Sequence, residues 1–411
     1  METNRQSALT GAVAVTLAAI AMLAVASGSR SVLGLLIPPL EATTGLGIAT
    51  ISLAVAASQL SWGIAQPFCG LLVERYGPAR VLATGCLLAA ASGALLPFVD
   101  SAPVLVTVLA LGGIASAVGS PSLLIGTVSQ RVAAHRRGLV AGVVGIGGPL
   151  GQLTLAPTTQ AFLTFTGLTG AACFLAALAL AAVPLALFFR RRRHACTPTS
   201  AEPESDATLS DALRSPRYWA INATFFICGF HVVFLVTHLP GVIGLCGLPA
   251  QTSGIALAVL GLFNMIGSIA AGIVTRWWSM TRTLAALFAA RGLGIAVFLV
   301  APKTATTVIA FSLWMGLTYM AVLPPIAGLI GKLYGARSLP TLLGLTFVVH
   351  QCGAFLGSWL GGVAVEWTGS YDRIWLIDLT LAALAAIISL AVGKRRQHAE
   401  KTLLRPVFQE G

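Results

Sequence analysis

The chain has 411 residues, of which 56% are hydrophobic and 9% charged, and its mean hydropathy is +0.88. A soluble domain carries roughly a quarter charged residues, so that class is excluded. The net charge of +12 does not mark a nucleic-acid binder either, because no basic stretch lies in a segment able to fold as a soluble domain.

About 20 consecutive apolar residues suffice to cross a bilayer as a helix. Twelve such segments are expected in chain order: 11–40, 47–72, 79–98, 103–129, 138–163, 168–189, 218–245, 250–275, 283–301, 305–334, 339–366 and 373–393. Barrel strands would read as alternating segments of about 10 residues, and these do not. The fold class expected is an all-α polytopic membrane protein. In the first segment Ala24-Val25-Ala26 resembles a signal-peptide cleavage site, but the apolar run continues to Leu40. An uncleaved first helix is expected.

Basic residues sort by side. With the amino terminus placed inside, every Lys and Arg falls in the inner loops, linker and tails except Arg30, Arg291, Lys303 and Arg373. Cytoplasmic loops attract Lys and Arg, so both termini are expected in the cytoplasm. Residues 190–217, RRRRHACTPTSAEPESDATLSDALRSPR, form the one long hydrophilic stretch. Its arginines suit lipid headgroups and its Pro, Ser and acidic residues suit a flexible linker. The expected organisation is a six-helix bundle over 1–189, a cytoplasmic linker over 190–217 and a second bundle over 218–411, acting as a monomer. The halves echo each other weakly. Span 5 holds Gly145, Gly147, Gly148, Pro149, Gly151 and Gln152, and span 11 holds His350, Gln351, Gly353, Gly357 and Gly361. Such repeats point to a secondary transporter with its substrate held between the halves near the midplane. The spacing of Gly353, Gly357 and Gly361 places them on one helix face, where small residues allow close packing. Pro149 is expected to bend span 5.

The seven cysteines show no CxxC pair or metal spacing and read as small core residues. Neither a phosphate-binding GxxxxGK[ST], an HExxH nor a GxSxG elbow is present, so no enzyme, no ATP-driven pump and no cofactor is expected.

Between spans 2 and 3 the stretch Gly70-Leu71-Leu72-Val73-Glu74-Arg75-Tyr76-Gly77-Pro78-Ala79-Arg80 resembles the G-x-L-x-D-R-x-G-x-R loop of the major facilitator superfamily, with Glu74 where that family usually has Asp. The counterpart Ala271-Gly272-Ile273-Val274-Thr275-Arg276 lacks the acid. The resemblance implies that Gly70, Glu74, Arg75, Gly77 and Arg80 form a gating loop that biases switching and does not touch substrate. Within the superfamily the chain resembles the bacterial branch of the monocarboxylate transporters and oxalate:formate exchangers. That likeness rests on Gly28-Ser29-Arg30-Ser31 through Pro38-Pro39-Leu40-Glu41, Ala65-Gln66-Pro67-Phe68-Cys69-Gly70, Cys228-Gly229-Phe230-His231, Thr237-His238-Leu239-Pro240, and His350-Gln351-Cys352-Gly353 leading to Thr368-Gly369-Ser370-Tyr371. It implies carriage of small organic anions, with protons or in exchange, across the bacterial inner membrane.

Polar residues inside the spans give candidates independently. Arg30 lies roughly 9 Å outward of the first segment's centre at 1.5 Å per residue. An Arg inside the membrane costs about 2.5–3.5 kcal/mol and faces a wet cavity or a partner. Away from their ends spans 1 to 6 hold no Asp or Glu to neutralise it, and a guanidinium grips a carboxylate through two hydrogen bonds. His231 and His350, near the centres of spans 7 and 11, can gain a proton near neutral pH. His350 stands roughly where the exchanger branch has a basic residue, by resemblance. Asn264, Tyr319 and Gln351 are candidates to orient a substrate. Arg291 in span 9 is expected to be structural, with Asp378 of span 12 as a partner. The expected function is transport of small organic anions by alternating access. The alternative is a proton-driven exporter of drugs or other amphipathic metabolites. Such pumps often carry an acid in span 1 or 4, absent here, but Gly147-Gly148-Pro149-Leu150-Gly151 resembles the glycine-proline motif of antiporters and keeps that alternative open.

Overall fold

The computed structural model describes residues 2–132, 137–190 and 209–403. Residues 191–208, most of the expected linker, lie outside the described residues. Among those described, every regular element is helical: α1 (Glu2–Ser31), α2 (Ile37–Thr44), α3 (Ile48–Tyr76), α4 (Pro78–Leu95), α5 (Ala102–Val118), α6 (Pro121–Ser129), α7 (Arg137–Gly145), α8 (Gly147–Ala182), α9 (Leu209–Arg214), α10 (Pro216–Leu245), α11 (Gln251–Val274), α12 (Met280–Val300), α13 (Ala305–Thr318), α14 (Leu323–Thr368) and α15 (Asp372–Leu403).

Eleven stretches are long and apolar enough to span a membrane. One of them, Arg137–Phe189, has 53 residues. At 1.5 Å per residue it is about 80 Å long, far beyond the roughly 30 Å of a hydrocarbon core. It turns back at Gly167, whose φ of 68° and ψ of −166° no helix accommodates. Glycine alone takes such a backbone cheaply. The stretch therefore makes two crossings, and the protein has the twelve spans expected. A similar break at Gly335 splits α14 between its tenth and eleventh crossings.

The first segment departs from the expected continuous helix over 11–40. Helix α1 ends at Ser31, a 3-10 turn covers Leu33–Leu36, and α2 begins at Ile37. Pro38 and Pro39 are the reason. They lack N–H groups and fit only the first turn of a helix. Arg30 thereby falls in the last turn of α1, where the negative end of the helix dipole favours a cation. Span 5 behaves likewise. Its break falls at Ile146, and Pro149 sits in the first turn of α8 instead of kinking a helix interior.

Within the amino-terminal half α1 packs on α8 and α3 on α5; within the carboxy-terminal half α10 packs on α14 and α12 on α15. Glycines set the α10–α14 spacing. A side chain at Gly229 would strike the backbone of His350, and one at Gly353 or Gly357 would strike that of Phe226 or Phe230. Small residues let membrane helices approach this closely. The halves meet along α3–α14 and α8–α11.

Contacts across that boundary cluster at the end away from the termini. The Ala49 amide donates to Glu366 Oε2 at 2.7 Å, and the Ser358 hydroxyl donates to the Ser52 carbonyl at 3.4 Å. Gly34 abuts the backbone of Val236 and Thr237, and Gly254 abuts Gln160. Toward the end that carries the termini, by contrast, the close approaches between the halves found among the described residues go no further than Gly63 against Gln351 and Gly261 against Gln152. One mouth is sealed and the other is open.

Candidate functional site between the halves

The site is built on one face of α3. Gln59, Trp62, Gly63 and Gln66 follow an i, i+3, i+4, i+7 pattern, which places them in a line on a helix. Arg30 reaches this face from the end of α1. Its Nη2 donates to Gln59 Oε1 and its guanidinium lies 3.9 Å from the centroid of the Trp62 ring. An Arg stacked on indole is held by the ring's negative face. Its planar fork remains usable at the edge. The Arg30 Nε is buried without a hydrogen-bond partner. Among the described residues no carboxylate forms an ion pair with Arg30; Asp378, buried within the spans, pairs with His231.

The second half answers from α14 and the α13–α14 break. Gln351 crosses to α3, where its side chain rests against Gly63 and leaves no room for a larger residue. Its Nε2 lies 3.1 Å from Nδ1 of His350. Arg30 is within electrostatic reach of both His350 and Tyr319. His350 Nε2, Gln351 Oε1 and Gln152 Nε2 are buried polar atoms without partners. An unsatisfied buried polar atom costs about 1–3 kcal/mol. Several on residues that meet where the halves join suit a polar ligand.

Tyr319 and Asn264 depend on the break in the tenth span. Helix α13 ends at Thr318 and α14 starts at Leu323, followed by Pro324 and Pro325. Asn264 Oδ1 accepts from the amide of Met320 at 3.2 Å inside this break. Tyr319 donates its hydroxyl to the carbonyl of Val232 at 3.2 Å. Asn264 is thus a strut for the break, and Tyr319 fastens the break to α10.

His231 is placed elsewhere. It is fully buried inside the carboxy-terminal half, with Nδ1 2.7 Å from Asp378 Oδ1. The structure does not bring it together with Arg30. This corrects the expected partner of Asp378, which is His231 and not Arg291. Arg291, 1% exposed, donates instead to the carbonyls of Thr318 and Tyr319, at 2.5 and 3.0 Å. Those are the carbonyls that α13 leaves unpaired at its end, and a cation is favoured there.

The loop residues Gly70, Glu74, Arg75 and Arg80 lie exposed at the open mouth. Arg75 sits over the Tyr76 ring at 5.3 Å. Gly77, with φ of 84°, ends α3 and turns the chain into α4. None of them is near Arg30 along the bundle; Gly70 is already two turns below Trp62.

Trp62, Gln59 and Gln152 were not singled out as site residues by sequence reasoning, which weighed the ionisable residues inside the spans together with Asn264 and Gln351. The four-residue pattern on α3 was the available signal.

Comparisons with known proteins bear on the family and the fold. The sequence model of the Major Facilitator Superfamily matches residues 19–358. Among curated relatives, an uncharacterized MFS-type transporter, YcxA, of Bacillus subtilis (strain 168) is 25% identical over 86% of this chain and 88% of its own. The oxalate:formate antiporter of Oxalobacter formigenes is 23% identical over 94% of this chain and 93% of its own. Monocarboxylate transporter 13 of Bos taurus is 26% identical over 81% and 80%. Among solved structures, an inward-facing, occupied bacterial homologue of the human lysosomal transporter Spinster superposes with a TM-score of 0.77 at 11% identity, covering 92% of this chain and 96% of its own. A D-xylose–proton symporter gives 0.75 at 14% identity, covering 92% and 97%.

Proposed function

Because the chain belongs to the Major Facilitator Superfamily, and so is a membrane transporter and not an enzyme, we propose that it carries small organic anions of the mono- or dicarboxylate type by alternating access. The observation that carries this reading is Arg30: a guanidinium held on Trp62 and Gln59, paired with no carboxylate among the described residues, beside unpartnered atoms of His350 and Gln351. A carboxylate entering from the open mouth would take the free edge of Arg30 and the polar edge of Gln351 and His350. Low-dielectric surroundings strengthen that pull, and the same field repels an organic cation. The oxalate:formate antiporter and the monocarboxylate transporter among the relatives support the same class.

A ligand bridging Arg30 of one half and His350 and Gln351 of the other draws the halves together on the open side. Rocking of one bundle against the other then exposes the site to the opposite face. Glu74, Arg75 and Arg80, at the open mouth, bias that equilibrium as gate residues. With a dicarboxylate, Arg30 would balance one charge and a proton carried on His350 the other, which would couple transport to protons; a second anion returning through the same site would give exchange. The Lys/Arg bias supports a cytoplasmic side for both termini and the linker, and the bacterial relatives support an inner membrane, so the open mouth would face inward. Periplasm-only reporters fused at Ser205 and Gly411 should be silent, and activity at either would reverse this orientation.

The test is transport in liposomes. Labelled lactate, pyruvate, oxalate, malonate and aromatic acids are offered with and without a pH gradient. Uptake of at least one anion, competed by its unlabelled form, is expected. Movement of cationic amphiphiles with no anion uptake would replace this reading with the exporter.

A further inference from the structure

A cavity of about 520 Å³ lies at the terminus-bearing end of the carboxy-terminal half, remote from the site between the halves. Its wall carries three basic side chains from three different spans, Arg217, Arg282 and Lys332, and the hydroxyls of Thr275, Ser279 and Thr281. None of the described residues lining it is acidic. The amino-terminal turn of α12 opens onto it. There Ser279 Oγ accepts from the Arg282 amide at 3.3 Å and lies 3.5 Å from Thr281 Oγ1. The positive end of that helix dipole adds to the side-chain charge, and such ends favour phosphate.

Two further observations indicate what kind of anion. Trp278 lines the cavity, and it and Trp277 are 58% and 77% exposed, which suits side chains sitting at the headgroup level. Leu390, also in the wall, continues an exposed apolar stripe along α15 through Ile387 and Leu384 to Ile377. These lie 3, 3 and 7 residues apart, which keeps them on one side of the helix. From Ile377 to Leu390 the stripe runs about 20 Å at 1.5 Å per residue, longer than the roughly 15 Å of one leaflet's hydrocarbon. A soluble anion has no use for it. We propose that this cavity binds the phosphate of an anionic phospholipid, with an acyl chain laid along the α15 stripe. Basic pockets between membrane helices suit such headgroups.

Native mass spectrometry of the delipidated, detergent-purified protein tests this, with phosphatidylglycerol, cardiolipin, phosphatidylcholine and glycerol phosphate titrated in separate arms. The anionic lipids should remain bound about 10-fold more than phosphatidylcholine. Arg282→Gln with Lys332→Gln, both exposed and so safe for folding, should erase that excess. Arg276→Gln, an exposed arginine of the same loop outside the cavity wall, should leave it unchanged. A melting curve checks that each variant is folded. Equal retention by wild type and the double variant overturns the proposal. An equal loss with Arg276→Gln reduces it to diffuse surface attraction. Binding of glycerol phosphate with the same variant sensitivity, with the lipids indifferent to it, assigns the cavity to a soluble phosphate.

Discussion

Each half of the protein buries an arginine among apolar helices, and the two meet opposite fates. Arg291 is sealed inside the second half, its charge spent on the end carbonyls of α13 within a cluster that also holds His231 and Asp378. Arg30 stands on the boundary between the halves with a glutamine and an indole for neighbours, and each guanidinium keeps one nitrogen without a partner, Nη1 in Arg291 and Nε in Arg30. The difference is the supply of internal acceptors. The second half contains a buried carboxylate and a broken helix pointing carbonyls at the cation, while the first offers Arg30 neither. A charge held on carbonyls inside one half is architecture; one set where the halves meet stands where cargo can reach it.

Substitutions should separate the two roles. The largest effect is expected for Arg291→Leu. It strands two carbonyls and removes the positive charge from a buried cluster, and breaking such an arrangement costs about 3–5 kcal/mol. Folded yield in size-exclusion chromatography should collapse; a melting temperature within a degree or two of wild type would mean that Arg291 is dispensable to the architecture. Arg30→Gln should do the reverse. Loss of a charge-assisted grip worth about 1.5–3 kcal/mol lowers apparent affinity for the best anion by roughly 10- to 150-fold while the melting curve holds. Arg30→Lys keeps the charge but not the fork, and about a 10-fold loss is expected. Unchanged affinity in Arg30→Gln would erase the contrast between the two arginines.

Smaller effects fall at the edges of the comparison. Glu74→Gln and Arg75→Ala should slow turnover several-fold with substrate affinity intact, because they act on the equilibrium of the open mouth. A change confined to affinity would put them in the binding path instead. Least of all, His350→Asn should leave binding within a few-fold and flatten the dependence of uptake on pH between roughly 5 and 8. A profile still as steep as wild type would move proton coupling to another group.

Much of this was legible because a bilayer demands long apolar runs, and such runs survive in sequence with their ends nearly in place. Arg30 was legible for the same reason, as a charge that hydrocarbon tolerates only with a purpose. What escaped were features set by neighbours. The stop of α1 at Ser31 follows from two prolines whose composition still reads as apolar. The pairing of Asp378 with His231 in place of Arg291 depends on how α10, α12 and α15 are rotated against one another, which no single helix records. Trp62 and Gln59 carry no charge in an apolar stretch, so their approach to Arg30 became visible only once α1 and α3 were set side by side.

The close seam between α10 and α14 carries a mechanical consequence. With the backbones of Phe226, Phe230 and His350 pressed against glycines on the facing helix, neither partner can slide or roll without collision. The pair therefore tilts as one stiff beam with His350 and Gln351 near its middle. A stiff beam turning about its middle moves its two ends in opposite directions, so under the proposed alternating access drawing in the mouth below the cargo would lever apart the seal at Ala49 and Glu366 above it.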